Sequence, residues 1–252
     1  MQTNLLISTS TPAPNRGAVA IKAALLFGLA AYFAYNILSG NLTNYINARF
    51  AWLSYVAVVL FAVGGAAALA ELRGGVRSGA FSHSRTSLSM MLMLAVPLVL
   101  GTLIPSRPLG AEAINGSIRV GAASYSAAEV ALVSKAPLDR DILDWSRAFV
   151  TEQSPSAFNG QQANVLGFVY TEPGYPENTF MVARFTLSCC VADASALGLP
   201  AYYAGADAPE AGAWVEVSGE FQAGEFLGQQ VPVLQAAQLT PVEEPEHPYL
   251  YP

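Results

Sequence analysis

Cys189 and Cys190 stand side by side in the segment RFTLSCCVADA, and they are the only cysteines in the 252-residue chain. An aspartate, Asp193, follows three residues after the second thiol. Three roles are open to such a group. The thiols can hold a soft ion, zinc or Cu(I), with Asp193 as a third ligand. They can cycle between dithiol and a strained, oxidising disulfide. Or they do no chemistry, because free cysteine packs well in a core. A structural staple is the poorest fit. Adjacent Cα atoms lie about 3.8 Å apart, ordinary disulfides span roughly 4.4–6.8 Å, and a bond here would close almost no loop.

Each role asks for a different local structure. In the core reading Phe185, Leu187 and Cys189 share the buried face of a strand, and Asp193 caps a short helix over residues 193–198 that closes at Gly198. In the metal reading the strand must break at Cys190, because a regular strand points successive side chains to opposite faces. His247 is the one histidine that follows the helices, so a closed four-ligand site is hard to assemble from this chain. The redox reading lacks a Cys-x-x-Cys helix motif. Which role applies depends on the compartment, and the compartment depends on the preceding elements.

Charged residues make up 12% of the chain, about half of the roughly 25% usual in a soluble domain. The shortage is concentrated in three apolar runs, predicted as transmembrane helices over about residues 19–38, 51–70 and 87–104. Pro97 falls inside the third and predicts a kink. A cleaved signal peptide is the alternative for the first run, but two more runs follow and no clean small-x-small cleavage site precedes them. Residues 1–17, polar and rich in Thr and Pro, read as a disordered tail.

Arg16 and Lys22 flank the start of the first helix, and Arg73, Arg77 and Arg85 follow the second. The connection between the first two helices offers only Arg49. The positive-inside rule therefore puts the N-terminus and second loop in the cytoplasm and residues 106–252 outside. In that outer part acidic residues far outnumber basic ones, which argues against nucleic-acid or anionic-lipid binding.

The outer domain opens with a predicted helix over 139–149, where Ile142, Leu143, Trp145 and Phe149 recur at helical spacing. Asp139, Asp141 and Asp144 gather at its start, better explained by capping and the helix dipole than by a catalytic dyad. The pattern then changes to period two in QQANVLGFVY, FMVARFTLSC, LPAYYAG, WVEVSGEF and VPVLQAAQL, read as five strands. Gly167 and Gly219 interrupt two of them where a barrel would bend. The fold class is thus an α-helical membrane region followed by a mainly β domain, a small closed barrel of OB type. In the closing PVEEPEHPYLYP, Tyr249, Leu250 and Tyr251 would anchor the tail or dock it onto a partner.

The order of these segments resembles the YcgQ-like family of bacterial permease subunits. The resemblance rests on LIPSRPLGA, NGQQANVLGFVY, the Phe-x-x-x-Cys-Cys-x-x-Asp-Ala pattern of residues 185–194, and the terminal PYLYP. It implies an accessory subunit whose partner is a larger multi-spanning permease. Where it also implies a His-rich stretch before the third helix, this chain keeps only His83. No Gly-rich phosphate loop, Ser-His-Asp set or metalloprotease helix is present, and His83 and His247 fall on opposite sides of the membrane, so no enzyme is read. The resulting expectation is a non-catalytic, membrane-anchored permease subunit that binds or delivers a metal ion on the outer face through Cys189, Cys190 and Asp193. An extracytoplasmic thiol-redox protein and a purely structural assembly protein are the alternatives.

Overall fold

The structure, a computed structural model, describes residues 16–73, 88–114, 118, 135–152, 154–205 and 209–252. Most of the expected N-terminal tail lies outside the described residues, as does the loop bearing Arg77, His83 and Arg85. The described chain divides into two compact units: one runs up to Leu42 and resumes over Phe50–Ser106, and the other combines Thr43–Arg49 with Arg107–Pro252.

The first unit is helical, with α1 (Arg16–Leu38), α2 (Trp52–Leu72) and α3 (Leu88–Leu103). At 1.5 Å per residue, α1 and α2 measure about 34 and 31 Å, enough for a hydrocarbon core of roughly 30 Å, whereas the 16 residues of α3 reach only about 24 Å. Large side chains of α1 lie against small residues of its neighbours. The Phe27 ring lies where a Cβ on Gly65 would sit, and Tyr32 does the same at Gly101. Such pairing lets apolar helices approach closely where burial from water supplies no drive. Along α2, Trp52, Tyr55, Val59, Leu60 and Val63 stay exposed. A core helix of a soluble protein would hide these residues.

The second unit is built on five strands: β1 (Gln162–Tyr170), β2 (Thr179–Thr186), β3 (Ser195–Tyr202), β4 (Trp214–Phe226) and β5 (Gln229–Pro241). They hydrogen-bond in the cyclic order β1-β2-β3-β5-β4 as a closed barrel, antiparallel except where Ala201 and Tyr202 of β3 meet Leu234 and Gln235 of β5. β1 changes partner along its length. β1 pairs with β4 over Gln162–Phe168 and with β2 from Phe168 to Tyr170. Gly167 sits at that hand-over, where a Cβ would come within 2.7 Å of the Ala183 carbonyl oxygen. At Gly219 the β4–β5 register shifts, and a Cβ would lie 2.0 Å from the Gln235 carbonyl oxygen.

The helix α4 (Ile142–Thr151) precedes the barrel, and Ile142, Leu143 and Trp145 join Val165, Val182 and Phe221 in the main core. The Trp145 and Phe221 rings meet edge to face at 4.7 Å. Asp141 caps α4 by accepting from the Asp144 N–H at 2.9 Å, and Asp144 returns the bond to the Asp141 N–H. Asp144 also pairs with Lys135 at 2.6 Å, so these carboxylates are occupied with structure.

β2 is buried on both faces. Phe180 and Val182 point into the main core, while Met181, Ala183 and Phe185 join a second cluster with Phe168, Leu187, Phe226 and Tyr249. The C-terminal tail covers part of that second face. The Leu250 N–H donates to the Phe185 carbonyl at 2.9 Å, and the Leu187 N–H donates to the Leu250 carbonyl at 3.0 Å. Arg184 holds the same tail through the carbonyls of Pro248, at 3.0 Å, and His247.

The helix expected over residues 193–198 is not formed. A single 3-10 turn, Val191–Asp193, leads directly into β3, whose residues 195–202 pair with β2 along its length. Ladder bonds across eight residues outweigh the local capping signal of Asp193.

Candidate functional site

The two thiols lie in the loop that joins β2 to β3. The regular strand ends at Thr186, earlier than the break the metal reading placed at Cys190. Leu187 remains wholly buried, but Cys189 is exposed and Cys190 half-buried. Cys189 therefore does not continue the Phe185–Leu187 face, and the core-packing reading of that thiol is overturned.

What turns the chain is Asp193. Its Oδ1 accepts from the Ser188 N–H at 2.9 Å, and its Oδ2 accepts from the Cys189 N–H at 2.8 Å and the Cys190 N–H at 3.4 Å. One carboxylate thus satisfies three successive backbone donors that the strand has stopped pairing. Partial burial raises the Asp193 pKa, but the hydrogen bonds from Cys189, Ser188 and Cys190 outweigh it and leave the carboxyl below its usual value.

The same carboxylate faces the Cys189 thiol. The Asp193 contact first, and the Cys190 sulfur second, hold that thiol well above its usual pKa. A thiol in this state is a poor nucleophile. The two sulfurs lie 3.7 Å apart, and they and a carboxylate oxygen all fall within 4.8 Å of one another. His247 is exposed and is not part of this group.

A second support comes from the connection between α1 and α2, which belongs to the same compact unit as the barrel. Its Asn47, 6% exposed, donates from Nδ2 to the carbonyls of Leu187 at 3.3 Å and Ser188 at 3.1 Å. The Asn47 N–H donates to the Cys189 carbonyl at 2.9 Å, and the Val191 N–H donates to the Tyr45 carbonyl at 2.9 Å. Ile46 and Cys190 form an antiparallel bridge. Sequence reasoning missed Asn47, for a single asparagine in a polar connection has no period and no motif.

Tyr249 and Leu250 are used inside the domain. Both are buried, and the Tyr249 hydroxyl accepts from the Leu109 N–H at 2.7 Å and donates to the Asn44 carbonyl at 3.2 Å. Tyr251 is half-buried beside them.

Comparison with known proteins matches both units to one family. Residues 21–118 match the DUF1980 N-terminal domain and residues 143–252 the DUF1980 C-terminal domain. The chain belongs to the DUF1980 family. Two relatives match nearly end to end. A Streptococcus mutans protein provisionally named a two-component membrane permease complex subunit is 25% identical over 267 residues, covering 88% of this chain and 97% of that protein. The Bacillus subtilis protein named UPF0703 protein YcgQ is 21% identical over 277 residues, covering 90% and 97% respectively. The YcgQ-like resemblance seen in the sequence is thereby met. In this DUF1980 chain the thiol loop, its aspartate and the C-terminal tail all fall within the C-terminal family match.

Proposed function

We propose that this DUF1980 protein is a membrane-anchored, non-catalytic subunit of a permease complex whose extracytoplasmic barrel, of OB type, binds a soft metal ion, zinc or Cu(I), through Cys189, Cys190 and Asp193. The name of the Streptococcus mutans relative supports a permease partner in the membrane, a larger multi-spanning protein on the family resemblance. The uncovered apolar surface of α2 supports the anchoring.

The observation that carries the metal reading is the sulfur spacing. Two thiolates about 2.3 Å from a tetrahedral zinc stand about 3.8 Å apart, and the sulfurs here are 3.7 Å apart. A disulfide needs about 2.05 Å, so the redox reading demands a large closure from a loop whose backbone is held at residues 187–191. Asp193 fits as the third ligand because its Oδ1 accepts one N–H and retains a lone pair, whereas Oδ2 is taken by the Cys189 and Cys190 N–H groups. The remaining position is left to water or to the partner.

Connectivity supports a common side for Thr43–Arg49 and the barrel. If α1 and α2 span from a cytoplasmic N-terminus, Thr43–Arg49 emerges outside and α2 ends inside. The barrel shares its compact unit with Thr43–Arg49, which supports a third crossing before Arg107, with α3 as the crossing segment in this reading. The arginine distribution supports the same orientation.

Full-length protein, reduced and in mild detergent, is expected to take up one equivalent of zinc with release of protons, since the thiols must ionise to coordinate. Cys189→Ser and Cys190→Ser should each abolish uptake. No uptake by folded, reduced protein overturns the metal reading and leaves a structural assembly subunit. Conversion of both thiols by mild oxidant to an intramolecular pair, with no zinc uptake, favours the redox alternative.

A further inference from the structure

The thiol loop is held from two sides, and only one of them is local. Asp193 gathers the N–H groups of residues 188–190. The carbonyls on the same three peptide planes, those of Leu187, Ser188 and Cys189, all accept from Asn47, which lies about 140 residues earlier in the chain. Asn47 is thus the complement of Asp193: the carboxylate accepts from the loop's N–H groups, and the side-chain and backbone N–H groups of Asn47 donate to the loop's carbonyls. Its own Oδ1 is used by the Arg49 N–H at 2.9 Å, which fixes the amide orientation with Nδ2 toward the thiol loop. Asn47 is among the few buried polar side chains of the described residues, and burying an amide is tolerated only when its hydrogen bonds are made.

We propose that Asn47 is a positioning residue for the Cys189–Cys190 site, and that ion binding there is coupled to docking of Thr43–Arg49 on the β2–β3 loop. This rests on the metal reading above and adds to it a route by which occupancy reaches the membrane helices. Thr43–Arg49 lies between α1, which ends at Leu38, and α2, which starts at Trp52, so a short stretch of chain joins it to each helix. An ion that fixes both sulfurs fixes the peptide planes between residues 187 and 190, which carry the Leu187, Ser188 and Cys189 carbonyls that Asn47 uses. By linkage, the factor by which a docked segment strengthens ion binding is the factor by which the ion strengthens docking.

A soluble fragment beginning at Ser106 lacks Asn47 and Tyr45, so three carbonyls and the Val191 N–H lose their partners.

The test uses full-length reduced protein in detergent, with zinc alone as the probe. Hydrogen exchange at Asn47 and Val191, the two amides that join the segments, should slow on zinc loading. Asn47→Ala should weaken zinc binding by roughly tenfold or more, as removal of groups behind metal ligands generally does. It should also erase the zinc-dependent protection of residues 43–49. Asn164→Ala, which breaks the contacts of Asn164 with Glu216 and Ser218, serves as the control for general destabilisation and should leave zinc affinity unchanged. Zinc uptake that depends on both cysteines but is unaffected by Asn47→Ala overturns this inference and leaves the metal reading standing. So does equal exchange of residues 43–49 with and without zinc, a measurement that needs only the wild-type protein. Failure of the wild-type protein to bind zinc overturns both.

Discussion

At the scale of single residues, Asp193 has two duties. It orders the loop by accepting from three N–H groups, and it suppresses ionisation of the Cys189 thiol. Asp193→Asn keeps the shape but removes the charge and turns one acceptor into a donor facing N–H groups. With the carboxylate gone, the Cys189 pKa should fall toward the usual value of about 8.5. The sign follows directly: a pKa held above the assay pH means mostly thiol, and lowering it raises the thiolate fraction. In metal-free protein at pH 8, Asp193→Asn should therefore alkylate faster at Cys189 than wild type, although it loses zinc affinity. Slower or equal alkylation would mean that the carboxylate does not control that thiol. The sequence showed the trio Cys189, Cys190 and Asp193 by spacing alone. It could not show that Cys189 is exposed, because the period-two run through Leu187 gives no sign that the strand stops at Thr186.

At the scale of elements, what was legible was what repeats. Period-two alternation marked the strands, and the interrupting glycines marked their bends, because a barrel cannot close without places where backbones come near each other. The 193–198 segment went the other way. Its local signals favour a helix, but pairing with β2 gives each backbone group a partner, and tertiary context won. The placement of residues 43–49 was illegible for a different reason: its bonds reach 140 residues away and its composition is that of any polar connection. The bend glycines give a graded prediction. A Cβ at Gly219 would lie 2.0 Å from a carbonyl oxygen and at Gly167 2.7 Å, both against backbone that cannot rotate aside. Gly219→Ala and Gly167→Ala should each cost more than about 1 kcal/mol, with Gly219→Ala the worse. Thermal melts of the two variants beside wild type measure this. Equal and wild-type-like melting would mean that the strands do not approach as described.

At the scale of the whole molecule, the two compact units cross in sequence: the barrel's unit borrows seven residues from between the first two helices. That exchange ties sidedness to hydrogen bonding, since Tyr45 and Asn47 cannot pair with residues 189 and 191 across a bilayer. It yields a labelling prediction that uses the chain's own thiols. In intact cells treated with a metal chelator, a membrane-impermeant maleimide should reach exposed Cys189 to the same extent as after permeabilisation, given equal time for its slow reaction. In a cysteine-free background, Ala48→Cys, at an exposed position of the connection, should label in intact cells as well. Glu71→Cys, exposed near the end of α2, should label only once the membrane is opened. Labelling of Cys189 and of Ala48→Cys only after permeabilisation would put the barrel and the connection in the cytoplasm and invert the orientation, with α3 still crossing. Labelling of Cys189 but not of Ala48→Cys in intact cells would separate the connection from the barrel and undo the support that Asn47 gives the thiol loop.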